Sequence, residues 1–326
     1  MHHRTGWLAR AAGPAMLLAA VLATAPAAAQ SYPSGDIRLI CAFPAGSGAD
    51  VIVRFFAEKL RPLAKRTVIV ENKPGAGGAI AVEYLARSRP DGHTVFVHAA
   101  NTVASMTHLL KKPPVDPAKT IQVAATINQQ AFMLTVLDKS PWKSIAELTK
   151  HLKEKKDKAT YAVTANSGVI MGAIYKEKAG LEAVEVKYRM AQDSLNDMAS
   201  GRVDYGLHDP VFALGQVREK RLRILAVASA RRLKSHPDLP TMTESGIPMD
   251  LVGWFAAMVP QATPKPVVAQ INKWFSEIVA MQDTQEFLIR FGGDPWIATP
   301  EEAQARLLKD IQDWREYVRV AKLTPQ

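Results

Sequence analysis

Two short segments carry the residue types needed to hold an anion. Pro44-Ala-Gly-Ser-Gly-Ala-Asp50 follows the apolar run Ile37–Phe43 and leads into residues with apolar side chains at helical spacing (Val51, Phe55, Leu60). Glycine at 46 and 48 lets the main chain approach a ligand closely, and Ser47 adds a hydroxyl donor. A helix starting there presents unpaired N–H groups and the positive end of its dipole. The stretch Phe43, Pro44, Ala45, Gly46, Ser47, Gly48 therefore suits a carboxylate that has lost its water. Asp50 is not expected to touch an anion directly; it either caps the helix or fixes the loop from behind by accepting N–H groups. A second small polar loop, Thr164-Ala165-Asn166-Ser167-Gly168, also ends an apolar run. It supplies the opposite wall, together with the segment after Tyr188. Arg189 either pairs with a distal carboxylate in two-pronged geometry or is a solvated charge.

Other chemistries find less support. The eight histidines lack H-E-x-x-H spacing, and Gly46-Ser-Gly48 lacks the flanks of a nucleophile elbow. Gly75-Ala-Gly-Gly78 misses both the dinucleotide fingerprint and the lysine of a phosphate-binding loop. One cysteine, Cys41, makes neither an internal disulfide nor a cysteine-rich metal site. No cofactor or metal is expected. The formal charge is +10, but the basic residues are dispersed. Lys150–Lys158 is interrupted by Glu154 and Asp157, which reads as a solvated helix face rather than a nucleic-acid groove.

The elements that must position these loops follow from the apolar pattern. Thr67–Val70 reads as a strand that leads through Asn72–Gly78 into a helix at Ala79–Arg87, and Pro90-Asp-Gly92 turns into a third strand, Thr94–His98. Strand alternating with helix predicts a parallel, doubly wound sheet whose loops gather at one edge. The phrase then repeats. Ile121–Leu137 is β-rich, Pro141–Glu154 helical and Ala159–Val163 a strand. Strands follow at Ala183–Tyr188, Val203–Leu207 and Leu222–Ala228, with helices around Ser194–Ala199 and Val211–Glu219. Trp254–Val259 reads as a further strand, and Pro264–Gln282 and Pro300–Val320 as long helices. At 326 residues and 48% apolar, the chain is long enough for two cores. The expected α/β architecture has two lobes, residues 31–130 plus 252–326 and residues 131–251. They are joined by β-like crossings near Phe132–Leu137 and Gly253–Val259.

The first residues read as an address. Arg4 and Arg10 precede an apolar run, Ala11–Ala25, which ends at Ala27-Ala28-Ala29. That is the pattern of a secretory signal peptide over residues 1–29, cut near Ala29. The expected product is exported.

The order of several motifs resembles a known family. I-R-L-x-x-x-F-P-x-G-x-G-x-D runs from Ile37 to Asp50, E-N-K-P-G-A-G-G from Glu71 to Gly78, and P-D-G from Pro90 to Gly92. Later come Tyr188, Gly201-Arg-Val-Asp204, Leu222-Arg-Ile-Leu-Ala-Val227, Leu239-Pro-Thr-Met-Thr-Glu-Ser-Gly246, Trp254-Phe255 and Thr263-Pro-Lys-Pro266. Together they resemble the Bug-type, TctC-like solute-binding proteins of tripartite tricarboxylate transporters over essentially the whole chain after the signal. The resemblance implies a two-lobed, flytrap-like periplasmic receptor acting as a monomer. It would close on a small carboxylate, whether a di- or tricarboxylate or an aromatic or amino-acid acid, and deliver it to inner-membrane permease subunits. The same receptors can instead present ligand to a signalling protein. The resemblance also places one wall of the carboxylate site on residues 44 to 48.

Three departures bear on the ligand. The family's Tyr-Lys-Gly becomes Tyr188-Arg189-Met190, which offers an apolar face where glycine is usual. Its small hydroxyl residues after the third strand become His98-Ala-Ala-Asn101, so Asn101 or His98 takes over as donor. Its Asp-Asn pair becomes His208-Asp209. These two either face the ligand, as a pH sensor or as an acceptor for an ammonium or hydroxyl group, or satisfy backbone groups at a helix start. Two other classes of function remain distinguishable. A periplasmic enzyme of carboxylate metabolism would use His208 with Asp209, and a scaffold would bind no acid.

Overall fold

The structure is a computed structural model and describes residues 32–325; the expected signal peptide, residues 1–29, lies outside them. In chain order the strands are β1 Ile37–Cys41, β2 Val68–Asn72, β3 Thr94–Ala99, β4 Ile121–Gln130, β5 Met133–Leu137, β6 Thr160–Val163, β7 Val184–Lys187, β8 Tyr205–His208, β9 Leu222–Val227, β10 Gly253–Pro260 and β11 Gly293–Pro295. The helices are α1 Gly48–Ala64, α2 Ala79–Ala86, α3 Ala100–Leu109, α4 Pro117–Thr120, α5 Ile145–Lys155, α6 Asn166–Ala179, α7 Ala191–Ala199, α8 Pro210–Arg218, α9 Lys265–Ala280, α10 Gln282–Arg290 and α11 Pro300–Val320.

Two sheets result. One has the order β11-β4-β10-β3-β1-β2, the other β7-β6-β8-β5-β9. The chain leaves the first sheet after Gln130 and enters the second at Met133, then returns along residues 228–252 to β10. Within the first sheet β1 is parallel to β2 and β3, as strand–helix–strand units require. β10 is antiparallel to both β3 and β4, and β11 to β4. In the second sheet β6, β7 and β8 are parallel, whereas β5 is antiparallel to β8 and β9. The sheets are therefore mixed rather than all parallel. Among the described residues three strands are reversed: β5 and β10 each follow a passage between sheets, while β11 follows α10 and pairs at the edge beside β4. An apolar run covered on both faces carries no sign of its direction.

β1 shows why both faces are covered. Ile37, Leu39 and Cys41 pack with Ile52, Phe56 and Phe275 on one side, while Ile40 packs with Val82, Leu85 and Phe96 on the other. Alternate side chains feed two separate cores, because successive Cβ atoms leave opposite faces of a strand. Helix α1 answers with Ile52, Val53, Phe56, Ala57 and Leu60, all buried on the side that meets the sheet, and ends where Lys65 turns left-handed at φ 52°. α11 begins with a reciprocal cap between Thr299 and Glu302.

The single helix expected over Pro264–Gln282 ends earlier. Met281 has φ −64° and ψ 136°, an extended conformation that closes α9 and starts α10 at Gln282. Apolar spacing continued across the break, so periodicity did not reveal it.

Candidate functional site

A cavity of about 800 Å³ lies between the two sheets, within the size range of small-molecule sites. Its wall is built where strands end and helices begin. The starts of α1 (Gly48, Ala49), α3 (Asn101, Thr102), α6 (Asn166, Ser167), α7 (Ala191, Gln192) and α8 (Val211, Phe212) all line it. A helix start leaves its first N–H groups without intrahelical partners, so this arrangement concentrates donors on one enclosed space. At α1, Ser47 Oγ accepts the Asp50 N–H at 3.4 Å and the Ser47 carbonyl accepts the Val51 N–H. The N–H groups of Gly48 and Ala49 have no acceptor among the described residues. α6 has no side-chain cap, and its first internal bond is Val169 N–H to the Ala165 carbonyl. A helix dipole is worth about 0.3–1 kcal/mol to an anion, and a hydrogen bond to a charged group about 1.5–3 kcal/mol. The free N–H groups, rather than the dipoles, therefore dominate.

Asp50 holds the first loop from behind. Its Oδ2 accepts the Gly46 N–H and Arg54 Nε, each at 2.8 Å, and its Oδ1 accepts Asn72 Nδ2 at 2.8 Å. Burial pushes its carboxyl up, but the hydrogen bonds from Arg54, Asn72 and Gly46 outweigh this and hold it below the usual carboxylate range. Ser47, not Asp50, is the helix cap. Gly46 sits at φ +81°, a left-handed conformation that L residues adopt only under strain.

The two sides touch across the cavity. An ideal Cβ on Gly48 would lie 2.2 Å from Asp209 Oδ1 and 2.9 Å from Val211 Cβ, so glycine here permits contact between the α1 and α8 starts. Asn166 Nδ2 donates to Ser105 Oγ at 2.9 Å, linking α6 to α3. Asp209 caps α8 by accepting the Phe212 N–H at 3.1 Å, and burial raises its carboxyl above the usual range.

Of the residues expected at the site, Phe43, Pro44, Gly46, Ser47, Gly48, Asn101, Thr164, Ala165, Asn166, Ser167, Tyr188, Arg189 and Asp209 line the cavity. The Tyr188 hydroxyl is committed to Asp197 Oδ2 at 2.7 Å. Arg189 is exposed and forms no ion pair among the described residues.

Four expected residues do not line it. Ala45 is an exposed loop residue outside the wall, and Asp50 is turned inward to the loop it braces. His98 is fully buried, stacked between Phe43 at 5.0 Å and Phe96 at 5.2 Å, and burial pushes its imidazole down to about 3. It therefore backs Phe43 instead of acting as a donor to ligand.

His208 is also fully buried. Its Nδ1 lies 2.8 Å from Thr135 Oγ1 and its Nε2 2.8 Å from Ser194 Oγ. Both hydroxyls are tied in turn to the backbone, Ser194 Oγ donating to the Ala191 carbonyl at 2.7 Å and Thr135 Oγ1 to the Gly206 carbonyl at 3.1 Å, so both ring nitrogens are held within the lobe. Burial lowers the His208 pKa to about 3, which removes it as a sensor near neutrality. Neighbours in sequence, His208 and Asp209 bind different partners and do not form an acid–base pair. Trp254 does not line the cavity: it is buried in the core with Nε1 donating to Asp310 Oδ2 at 2.6 Å.

Sequence reasoning missed several wall residues. Gly75, Gly77 and Gly78 come from the loop after β2, whose glycine spacing was a usable signal. Phe132 lies where the chain changes sheets, and Phe212 and Gln216 lie on α8. Nothing in the local pattern distinguishes these from core residues. Among the described residues no cluster of His, Cys, Asp and Glu is placed to hold a metal ion, and no helix is long and apolar enough to cross a membrane.

Two α/β sheets around a cavity lined by helix starts from both define a binding protein of the two-lobed periplasmic type. Residues 52–321 match the family described as tripartite tricarboxylate transporter family receptor, and the chain belongs to that family. It is 29% identical over 330 residues to a UPF0065 protein of Bordetella bronchiseptica, covering 99% of this chain and 98% of that one. It is 26% identical to Protein BugT of Bordetella pertussis, covering 90% and 92%. Among solved structures, that of the periplasmic binding protein BugD superposes with a TM-score of 0.83 at 28% identity, over 90% of this chain and all of that one. Both the expected fold and the expected family are thereby established.

Proposed function

We propose that this chain is a periplasmic receptor that captures a small carboxylate between two lobes and passes it, unaltered, to the permease subunits of a tripartite transporter. The lobes would be residues 31–130 with 252–326, and residues 131–251. The observation that carries this reading is the pairing of free N–H groups at the start of α1, on the first sheet, with the uncapped start of α6, on the second. A ligand held by both binds the closed arrangement more tightly than an open one and so favours closure by its differential affinity. Gly46, Ser47 and Gly48 would hold the acid group from one side and Thr164–Ser167 from the other.

Export follows in this reading from residues 1–29, and N-terminal sequencing of the protein from a periplasmic fraction would begin near Gln30. Membership of a receptor family and the separate partners of His208 and Asp209 both favour capture over turnover.

The test is a thermal-shift screen of residues 30–326 against a panel of carboxylates. A true ligand at a hundred times its dissociation constant adds about 2.7 kcal/mol, an upward shift of several degrees for a chain of this length. Recovery of that ligand intact after incubation supports the receptor. Its conversion would support an enzyme, and a panel with no shift would refute both.

A further inference from the structure

Asp209 is an unexpected group to find in an anion site. Among the described residues, it and Arg189 are the only charged ones lining the cavity. Arg189 is exposed, and the partners acting on the Asp209 carboxylate are backbone N–H groups at the start of α8, with no cation among them. The carboxylate is also close to the anion loop. Its Oδ1 would be 2.2 Å from any Cβ placed on Gly48, the residue whose N–H opens α1. An acid group bound at that helix start would therefore have a second negative charge beside it, with nothing between to neutralise either.

We propose that the cargo is a zwitterionic α-amino carboxylate with an apolar side chain, its ammonium group seated against Asp209. The inference rests on the receptor reading above and names the class of ligand for that site. Three observations converge on it. The donors at Gly48 and Ala49 take the carboxylate. The adjacent Asp209 takes a cation carried on the neighbouring carbon, which is the spacing of an α-amino acid. Elsewhere the wall carries no charge besides Arg189, and Phe43, Phe132, Met190 and Phe212 offer apolar contact to a side chain. Burial raises the Asp209 pKa, and an ammonium group placed there would reverse that shift. A plain dicarboxylate offers Asp209 nothing and meets a cation only at the exposed Arg189.

The experiment compares matched pairs that differ only in the amine: L-phenylalanine with 3-phenylpropionate, and L-leucine with 4-methylpentanoate. Adipate is added as a dicarboxylate. Affinities are measured by titration calorimetry near neutral pH on residues 30–326 and on Asp209→Asn. Asparagine still caps α8, because its side-chain oxygen accepts the same N–H, and far-ultraviolet circular dichroism checks the fold. In the wild type the amino acid should bind at least about tenfold more tightly than its deaminated partner, the range of a charge-assisted bond, and the ratio should collapse in Asp209→Asn. A ratio near one in the wild type, or one unchanged by the substitution, overturns the proposal. If adipate or the deaminated acids bind and the amino acids do not, the receptor reading stands and this inference fails. If no acid of either kind binds, both fail.

Discussion

Replacing Gly48 with valine tests the geometry on which capture depends. The backbone at Gly48 is helical and outside the left-handed region, so a side chain there does not strain the main chain. The obstacle is the other wall: Cβ would stand 2.2 Å from Asp209 Oδ1, where ordinary contact begins at 3.4 Å. The α1 and α8 starts must therefore separate by about 1.2 Å or more. A hydrogen bond near 2.9 Å stretched by that amount is no longer one. Losing two charge-assisted bonds to the carboxylate costs about 3–6 kcal/mol, which weakens binding by at least about a hundredfold. Because the clash lies between the two sides and is relieved by opening, the melting temperature without ligand should change by only a few degrees. Calorimetric titration of the best carboxylate from the thermal-shift panel, beside an unliganded melt, separates the two effects. Wild-type affinity in Gly48→Val would refute the reasoning, since it would mean that closure onto the α1 start is not part of binding.

Other consequences follow from the loop support and the buried rings. Asp50→Asn removes the charge that organises Gly46, Arg54 and Asn72 and is expected to lower stability by about 2 kcal/mol. Arg54 is half exposed, so most of that comes from the Gly46 and Asn72 bonds. The native carboxyl is held below its unfolded value, so its contribution is fully present above about pH 4 and fades as pH falls through the native pKa. Denaturant melts of wild type and variant should therefore converge in acid; a gap that persists there would count against the assignment. His98 and His208 stay neutral, with pKa values near 3, so nuclear magnetic resonance of their ring protons should show no titration between about pH 5 and 8. A midpoint inside that window would show that either ring meets solvent or an acid.

Much of the site was legible because glycine-rich loops between an apolar run and a helical period are local events. Pro44–Asp50 and Thr164–Gly168 each declared a strand end and a helix start, and a helix start has donors to offer wherever it sits. The two histidines misled for a physical reason. Polar residues at strand ends read alike whether they face a cavity or a core, and the side is set by pleat and register. At His208 the register turns the ring toward Thr135 and Ser194, and at His98 toward Phe96 beneath Phe43.

By itself the amino-acid sequence determined that strands alternate with helices, that loops at their ends carry main-chain donors, and that the motifs run in the order of one receptor family. Each of these depends on residues close together in the chain. Only the tertiary structure decided which loops face each other, that β5 and β10 run against their neighbours, and that Asp209 lies against Gly48 with no counter-charge among the described residues. Those outcomes depend on packing between residues far apart in the chain, and the identity of a side chain does not reveal what it will meet at that distance.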